Sequence, residues 1–258
     1  MCLLLLAHGI DPDRPLLVAA NRDEFHARPT APASFWEDAP DVLAGRDLAA
    51  GGTWLGVTRS GRFAALTNFR DPAGHDPKAK SRGLLVAGFL RGSAPPDAYL
   101  RSVASSGVRY NPFNLVAGTP GDLWVYESLP GRLRRLGEGV FGLSNALLDT
   151  PWPKVERTKD ALRRLLARSG AGPGAEDLLG TLADRTPVED SRLPDTGVGL
   201  AWERLLSAPF IVSPEYGTRS SAAVLFGAPG SWAFVERTFG PDGGRAGERS
   251  FEVPEGEG

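Results

Sequence analysis

The residues best suited to chemistry in this chain are a lone cysteine near its start and a polar cluster about twenty positions later. The cysteine is Cys2, and the cluster is Asn21-Arg22-Asp23-Glu24. Apolar runs at 3–7 and 16–20 flank a turn-rich segment at 9–15, which is typical of a β-hairpin. Pairing of these two strands would bring Cys2 and the cluster to the same end of a sheet.

Cys2 gains a specific chemistry if the initiator methionine is removed. Its α-amino group, with an ordinary pKa of about 7.7–8.0, could then accept the proton of its own thiol, whose pKa is about 8.5. One residue would then supply both nucleophile and base. The alternative is a small buried side chain at the start of a strand, which is the commonest role of a free cysteine.

The polar cluster allows two interpretations. Asp23 could hold the terminal ammonium or Arg22, and Arg22 could stabilise a thiolate. Alternatively, the cluster is a solvated loop with a local salt bridge. Strand geometry places Asn21 and Asp23 on one face and Arg22 and Glu24 on the other.

Composition narrows the function classes. The 258 residues are 41% hydrophobic and 23% charged, with a net charge of −2, as in an ordinary globular protein. One cysteine excludes an internal disulfide, and no Cys/His spacing resembles a metal site. No basic segment with interleaved aromatic residues indicates nucleic acid, and no apolar run reaches the length of a transmembrane segment. We therefore expect a cytoplasmic protein.

The remaining pattern favours the α+β class. Runs at 52–58 and 63–69, at 114–118 and 123–126, and at 219–226 and 232–239 predict three further hairpins, and 140–145 a single strand. Helices are predicted at 83–90, 96–104, 153–169 and 175–183. The proline-bearing segment 25–40 is predicted to be irregular. We expect one domain, 1–240, and a disordered glycine-rich acidic tail, 241–258.

Several motifs resemble those of the NRDE family of transport and Golgi organisation protein 2-like proteins. Besides Cys2 and the Asn-Arg-Asp-Glu cluster they are Gly51-Gly52-Thr53-Trp54-Leu55-Gly56, Leu66-Thr67-Asn68-Phe69-Arg70, Asn111-Pro112-Phe113-Asn114-Leu115, Gly142-Leu143-Ser144-Asn145, Pro151-Trp152-Pro153-Lys154-Val155 and Tyr216-Gly217-Thr218-Arg219-Ser220-Ser221. These motifs run in order through nearly the whole chain.

The family in turn resembles amino-terminal-nucleophile hydrolases of the penicillin V acylase and bile salt hydrolase type. That resemblance implies a four-layer αββα sandwich of antiparallel sheets. It also implies Cys2 as nucleophile, Asp23 as the residue that orients its amine, Asn68 and Asn145 as oxyanion donors, and Arg219 as the late arginine of the site.

Four further polar residues are assigned to substrate binding: Asn21, Arg22, Glu24 and Asn114. Arg22 departs from the hydrolase pattern, in which an arginine stands three residues before the aspartate. Here Arg22 directly precedes Asp23.

Two functions agree with these residues. The first is hydrolysis of an amide (C–N) bond by Cys2, with no cofactor. The second is non-catalytic binding and trafficking of haem or of an acyl-CoA or other lipid, which the NRDE resemblance implies. Haem would take His8, His26, His75, Cys2 or a terminal amine as its axial ligand. The sequence leaves the oligomeric state open.

Overall fold

The computed structural model describes residues 2–168, 172–227 and 230–254. Within these ranges the strands are β1 (Cys2–Asp11), β2 (Arg14–Phe25), β3 (Thr30–Trp36), β4 (Ala39–Asp47), β5 (Leu55–Thr58), β6 (Phe63–Asn68), β7 (Phe113–Thr119), β8 (Asp122–Glu127), β9 (Arg132–Arg135), β10 (Gly139–Leu143), β11 (Tyr216–Phe226), β12 (Trp232–Phe239) and β13 (Arg245–Val253). The α-helices are α1 (Gly83–Arg91), α2 (Pro96–Ser105), α3 (Pro153–Leu166), α4 (Ala175–Gly180) and α5 (Leu200–Leu205), and a 3-10 turn spans Asp190–Arg192.

The strands form two antiparallel sheets. The first has the order β10-β1-β2-β11-β12-β13 and the second the order β3-β4-β5-β6-β7-β8-β9. The amino-terminal hairpin is central to the first sheet, because β1 pairs with β10 and β2 pairs with β11. Neighbouring strands are mostly joined by short turns, as the turn-rich sequence predicts.

Three apolar clusters show how the layers stack. One cluster contains side chains from both sheets, among them Leu4, Val18 and Val116, so the sheets pack face to face. A second covers the other face of the second sheet with α1 and α2. A third covers the other face of the first sheet with α3 and α4. The layers therefore run helix, sheet, sheet, helix, which confirms the predicted α+β class and the αββα sandwich.

The first hairpin forms as the sequence predicts, with Cys2 directly opposite Arg22 across β1 and β2. Along β1 the side chains alternate between two environments: Leu4 and Leu6 lie between the sheets, whereas Leu3 and Leu5 face the helices. Cys2 shares the parity of Leu4 and so belongs to the face between the sheets.

Two predicted irregular segments contain strands instead. Within 25–40 the chain forms β3 and the start of β4. The prolines led us to predict an irregular segment, but they are tolerated in β3 because β3 is the edge strand of its sheet. Within 241–258, β13 pairs with β12 and contributes the buried Val253, so a disordered tail is wrong for this part of the chain. Residues 255–258 lie outside the described residues, as does position 169 at the end of the predicted third helix.

In the part of the chain that the structure describes, no helix has the length and apolar character needed to cross a membrane.

Candidate active site

The end of the first hairpin opens into a cavity of about 340 Å³. Five predicted site residues line it: Cys2 at the start of β1, Arg22, Asp23 and Glu24 near the end of β2, and Asn68 at the end of β6. The two sheets each contribute strand ends to this wall. The antiparallel pairing of β1 with β2 therefore brings the cysteine and the polar cluster into one site.

Cys2 is 7% exposed, and this buried position favours the neutral form of its thiol. Burial raises the pKa of its thiol, and the nearby Asp23 carboxylate raises it further. A thiol held in this form is a weak nucleophile until a base takes its proton. Nucleophilic attack by Cys2 would therefore require a proton acceptor beside it.

Asp23 lies on the helix-facing side of β2, opposite in parity to Arg22. Its Oδ1 accepts a hydrogen bond of 2.7 Å from Thr218 Oγ1. Burial raises the pKa of the Asp23 carboxyl, while Lys154 and the Thr218 hydroxyl act in the opposite direction. Asp23 is thus a buried carboxyl whose ionisation depends on neighbouring cations and donors.

A β-bulge explains why Arg22, Asp23 and Glu24 all reach the cavity although they alternate in parity. Asp23 pairs with Thr218 and Arg22 with Ser220, which leaves Arg219 as the extra residue in β11. Such a bulge increases the local twist of a pair of strands. The twist turns the end of β2 so that both of its faces border the cavity.

Asn68 presents its backbone N–H in a direction suited to an oxyanion. The N–H of Leu66 donates to Trp54 O, 2.8 Å, whereas that of Phe69 donates to Pro112 O, 2.9 Å. Successive N–H groups of a strand point to alternate sides, so the Asn68 N–H shares the side of Leu66. Leu66 and Trp54 both line the cavity. This N–H therefore points along the wall that contains Cys2.

Asn145 does not line the cavity but contacts the residues that do. Its Nδ2 donates to Asn68 O, 2.9 Å, and its own carbonyl accepts from the Arg70 N–H, 2.8 Å. Ser144 Oγ lies 3.2 Å from Cys2 O and 3.3 Å from Asn145 Oδ1. Asn145 therefore supports the Asn68 peptide from outside the cavity wall, and its role as an oxyanion donor stays a prediction.

Three other predicted site residues are also outside the cavity wall. Asn21 is fully buried and donates to Leu182 O and Pro209 O, because its parity turns it towards the helices. Asn114 is buried and donates to Ala146 O. Neither asparagine lines the cavity with Cys2, and their role in substrate binding stays a prediction.

Arg219, the third of these residues, is the bulged residue and does not line the cavity with Cys2. Its Nη1 donates to Phe25 O, 2.9 Å, and to Arg28 O, 3.1 Å. Arg219 lines a separate cavity, which it shares with Arg22. Its described contacts brace the chain after β2.

Lys154 is a buried residue close to Asp23 and Cys2 that sequence reasoning did not select, although its motif was noted. It lies in the first turn of α3, is 3% exposed, and burial lowers the pKa of its ammonium to about 8. Asp23 and Cys2 both favour its charged form. The sequence feature that could have indicated the burial of Lys154 is its position next to Val155, on the buried side of an amphipathic helix.

The wall of the cavity is also richer in basic side chains than the sequence indicated. Arg28, Arg46, Lys80 and Arg82 line it together with Arg22. Counted with Arg22, these basic residues come from four different segments, so no local pattern in the sequence predicts that they share one wall.

The histidines differ in their access to the site. His75 is exposed and lines the cavity. His8 is buried, with ring nitrogens 2.8 Å from Gly137 O and 2.9 Å from Pro120 O, and His26 Nε2 lies 3.1 Å from Ser213 O. Across 2–168, 172–227 and 230–254, no group of three or more His, Cys, Asp or Glu side chains is arranged to hold a metal ion.

The fold is that of the amino-terminal-nucleophile hydrolases. The structure is similar to the C2A mutant of conjugated bile acid hydrolase from Clostridium perfringens, with a TM-score of 0.57, 9% identity and coverage of 98% of this chain and 92% of that one. It is also similar to the Caenorhabditis elegans orthologue of N-acylethanolamine-hydrolyzing acid amidase, with a TM-score of 0.51, 10% identity and coverage of 88% and 94%. At these identities the likeness concerns the fold.

The chain belongs to the Transport and Golgi organisation 2 family, whose model matches residues 1–241. It is 38% identical over 239 residues to the Transport and Golgi organization protein 2 homolog of Homo sapiens, covering 86% of each chain. It is 27% identical over 266 residues to Transport and Golgi organization protein 2 of Drosophila melanogaster, covering 92% of each. The family resemblance seen in the sequence is confirmed.

Proposed function

We propose that this protein hydrolyses an amide bond with Cys2 as an amino-terminal nucleophile. The observation that carries the proposal is the common cavity of Cys2, Asp23 and the end of β6 at Asn68. The two structural neighbours are named as a conjugated bile acid hydrolase and an acid amidase, which supports the same class of reaction.

The proposed reaction requires Cys2 to be the first residue after removal of Met1. Its α-amine takes the thiol proton as the sulfur attacks the substrate carbonyl carbon. The C–N bond then breaks, the protonated amine returns the proton to the leaving nitrogen, and a thioester remains on Cys2. Water, deprotonated by the same amine, attacks the thioester and releases the acid and the free thiol.

Each described neighbour has a part in this scheme. Asp23 orients the α-ammonium, and Lys154 favours the ionised form of Asp23. The Asn68 N–H stabilises the oxyanion, and Asn145 holds the Asn68 peptide through the bond to its carbonyl. Removing a direct oxyanion donor typically lowers kcat by about two to three orders of magnitude.

The test uses the fact that Cys2 is the only cysteine of the chain. Intact-mass spectrometry should show loss of Met1, and iodoacetamide at neutral pH should add one carbamidomethyl group, at Cys2. Fatty-acyl nitroanilides should release nitroaniline, and hydroxylamine should trap the acyl group as a hydroxamate. Cys2→Ala should abolish all three thiol-dependent signals, whereas Asp23→Asn should lower turnover and leave the thiol present.

Retention of Met1 would overturn the proposal, as would hydrolysis that persists in Cys2→Ala. Neither variant introduces a cysteine, so the same mass measurement also gives the background alkylation of each variant.

A second candidate is non-catalytic binding of haem or of an acyl-CoA in the same cavity, in a cytoplasmic trafficking role. The observation that favours haem is His75, which lines the cavity while His8 uses both ring nitrogens in contacts with carbonyl groups. Haem titration should then give a Soret shift in the wild type that is lost in His75→Ala and kept in His8→Ala. An unchanged spectrum at micromolar haem would remove haem as the ligand.

A further inference from the structure

The cavity wall around Cys2 has an uneven balance of charge. Its acidic side chains are Asp23, Glu24, Asp47 and Asp76, and its basic side chains are Arg22, Arg28, Arg46, Lys80 and Arg82. Which of these charges are already neutralised decides what the cavity can bind.

Most of the acidic groups already have cationic neighbours. Arg28 Nη2 donates to Asp47 Oδ2, 2.6 Å, and Arg28 Nε lies 3.9 Å from Glu24 Oε2. Asp76 Oδ2 lies 3.4 Å from Arg109 Nη1. These acids are therefore weak competitors for a further cation in the cavity.

Arg82 is different, because within the described ranges no carboxylate lies within ion-pair distance of it. Its Nη1 donates only to a backbone carbonyl, that of Pro112, 3.0 Å away. Burial lowers the pKa of the Arg82 guanidinium, while the nearby Cys2 and Glu24 act in the opposite direction. An arginine presents five donors and keeps its charge at any ordinary pH, so most of this guanidinium remains available for an anion.

Arg22 adds a second, more deeply buried guanidinium to the same wall. Its side chain is 8% exposed and its nearest carboxylate oxygen, Glu24 Oε2, is 3.9 Å from Nη2. Its Nη1 is buried with no hydrogen-bond partner among the described residues. The Arg22 side chain also lines the cavity, so its charge adds to the attraction that an anion would feel there.

The amino-terminal end of α1 reinforces these side chains. Arg82 is the residue that precedes the helix, Gly83 lines the cavity, and the first turn contains no acidic residue and no side-chain cap. The backbone N–H groups at a helix start carry a partial positive charge that favours anions.

We propose that the substrate of the Cys2 site carries an anionic group, a carboxylate or a phosphate, which binds to Arg82 and Arg22 at the start of α1. This inference rests on the proposed function and narrows its substrate class. The anion would be held on the same wall as the nucleophile, so it would orient the scissile carbonyl as well as add affinity.

The experiment compares two alkylating reagents of nearly equal size, the anionic iodoacetate and the neutral iodoacetamide. The rate of the iodoacetate reaction at Cys2 is divided by the rate of the iodoacetamide reaction, both measured by mass spectrometry. This ratio is then normalised by the same ratio for mercaptoethanol at equal pH and ionic strength. The normalised ratio should exceed unity for the wild type and decrease as NaCl is added. Arg82→Gln should lower it about ten-fold, the effect of one charge-assisted hydrogen bond.

Two further variants control the comparison. Arg82→Lys retains the charge and should retain most of the preference. Arg101→Gln removes a charge from an arginine on α2 that is 66% exposed and should leave the ratio unchanged. A ratio near unity for the wild type, or one that Arg82→Gln does not alter, would overturn the inference. So would the absence of alkylation by either reagent.

Protection experiments identify the anion. Butyrate or inorganic phosphate should slow the iodoacetamide reaction of the wild type, and the stronger protector indicates whether the site is built for a carboxylate or a phosphate; protection by neither contradicts the inference. Charge-dependent alkylation without hydrolysis would leave the anion site standing and reject the proposed hydrolase. Hydrolysis of neutral amides together with charge-independent alkylation would support the proposed hydrolase and reject the anion site.

Discussion

The side-chain amide of Asn145 donates a hydrogen bond of 2.9 Å to the backbone carbonyl oxygen of Asn68. This bond links the segment after β10 in the first sheet to the end of β6 in the second. The same segment contacts Cys2 through Ser144. Cys2 and Asn68, the proposed nucleophile and oxyanion donor, are therefore connected by the adjacent side chains of Ser144 and Asn145.

Asn145→Ala should lower kcat of the amide hydrolysis by about ten-fold or more while changing KM little, because the Asn68 N–H loses its support but remains present. The variant should also lose about 1 kcal/mol of unfolding free energy, since the partly buried Asn68 carbonyl loses its donor. Steady-state kinetics and urea unfolding measure the two effects. Ser102→Ala, which removes an exposed hydroxyl from α2, is the control. Full kcat in a destabilised Asn145→Ala protein would contradict the positioning role.

Lys154 should make stability depend on pH in the alkaline range. Its folded pKa of about 8 lies below the ordinary lysine value of about 10.4, so between these values the unfolded chain binds more protons than the folded one. The unfolding free energy should therefore rise with pH across this window, by up to about 3 kcal/mol.

Urea unfolding of the wild type and of Lys154→Met, from pH about 7 to about 10.5, measures this contribution of Lys154. The rise should be missing in Lys154→Met and kept in Lys78→Met, because Lys78 is exposed. Parallel stability curves for wild type and Lys154→Met would show that Lys154 titrates normally.

The Arg70–Glu203 ion pair should be sensitive to loss of one partner. Arg70 Nη1 lies 2.6 Å from Glu203 Oε2, and each of the two side chains is 4% exposed. Arg70 Nε and Nη2 have no hydrogen-bond partner in the described part of the chain, although the guanidinium lies over the Trp152 ring. Glu203→Gln should therefore destabilise by about 3–5 kcal/mol, and the double variant Arg70→Met with Glu203→Leu should recover most of this loss.

A nearby surface pair provides the control for that experiment. Arg204 and Asp190 form an ion pair with both side chains about half exposed. Asp190→Asn should cost less than about 1 kcal/mol in the same urea titration. Equal losses for the buried and exposed pairs would contradict the burial argument.

Gly52→Ala should disturb the wall formed by the start of α1. A Cβ at Gly52 would lie 2.4 Å from the backbone carbon of Gly83, so the helix start must move. We expect a loss of about 1–3 kcal/mol and a lower iodoacetate preference at Cys2. Gly121→Ala, whose Cβ meets nothing within 4 Å, is the control. A Gly52→Ala protein with wild-type stability and preference would show that this close approach is not needed.

The sequence alone predicts the local elements that depend on neighbouring residues. The hairpin of β1 and β2 follows from apolar runs about a turn, and α3 from its apolar periodicity. The strands β3 and β13 escape such reasoning, because an edge strand can contain prolines and polar residues that resemble a loop.

The residues of the site also divide into those that the sequence predicts and those that only the structure reveals. Cys2 and Asp23 could be placed together from strand pairing, since antiparallel neighbours bring distant positions to a common end. Only the tertiary structure decided that Asn21 and Asn114 are buried donors to backbone carbonyls, that Asn145 contacts Asn68, and that Lys154 and Arg82 lie near Cys2. These contacts join segments far apart in the chain, and their energies depend on burial and on charge across space, which no local pattern of residues encodes.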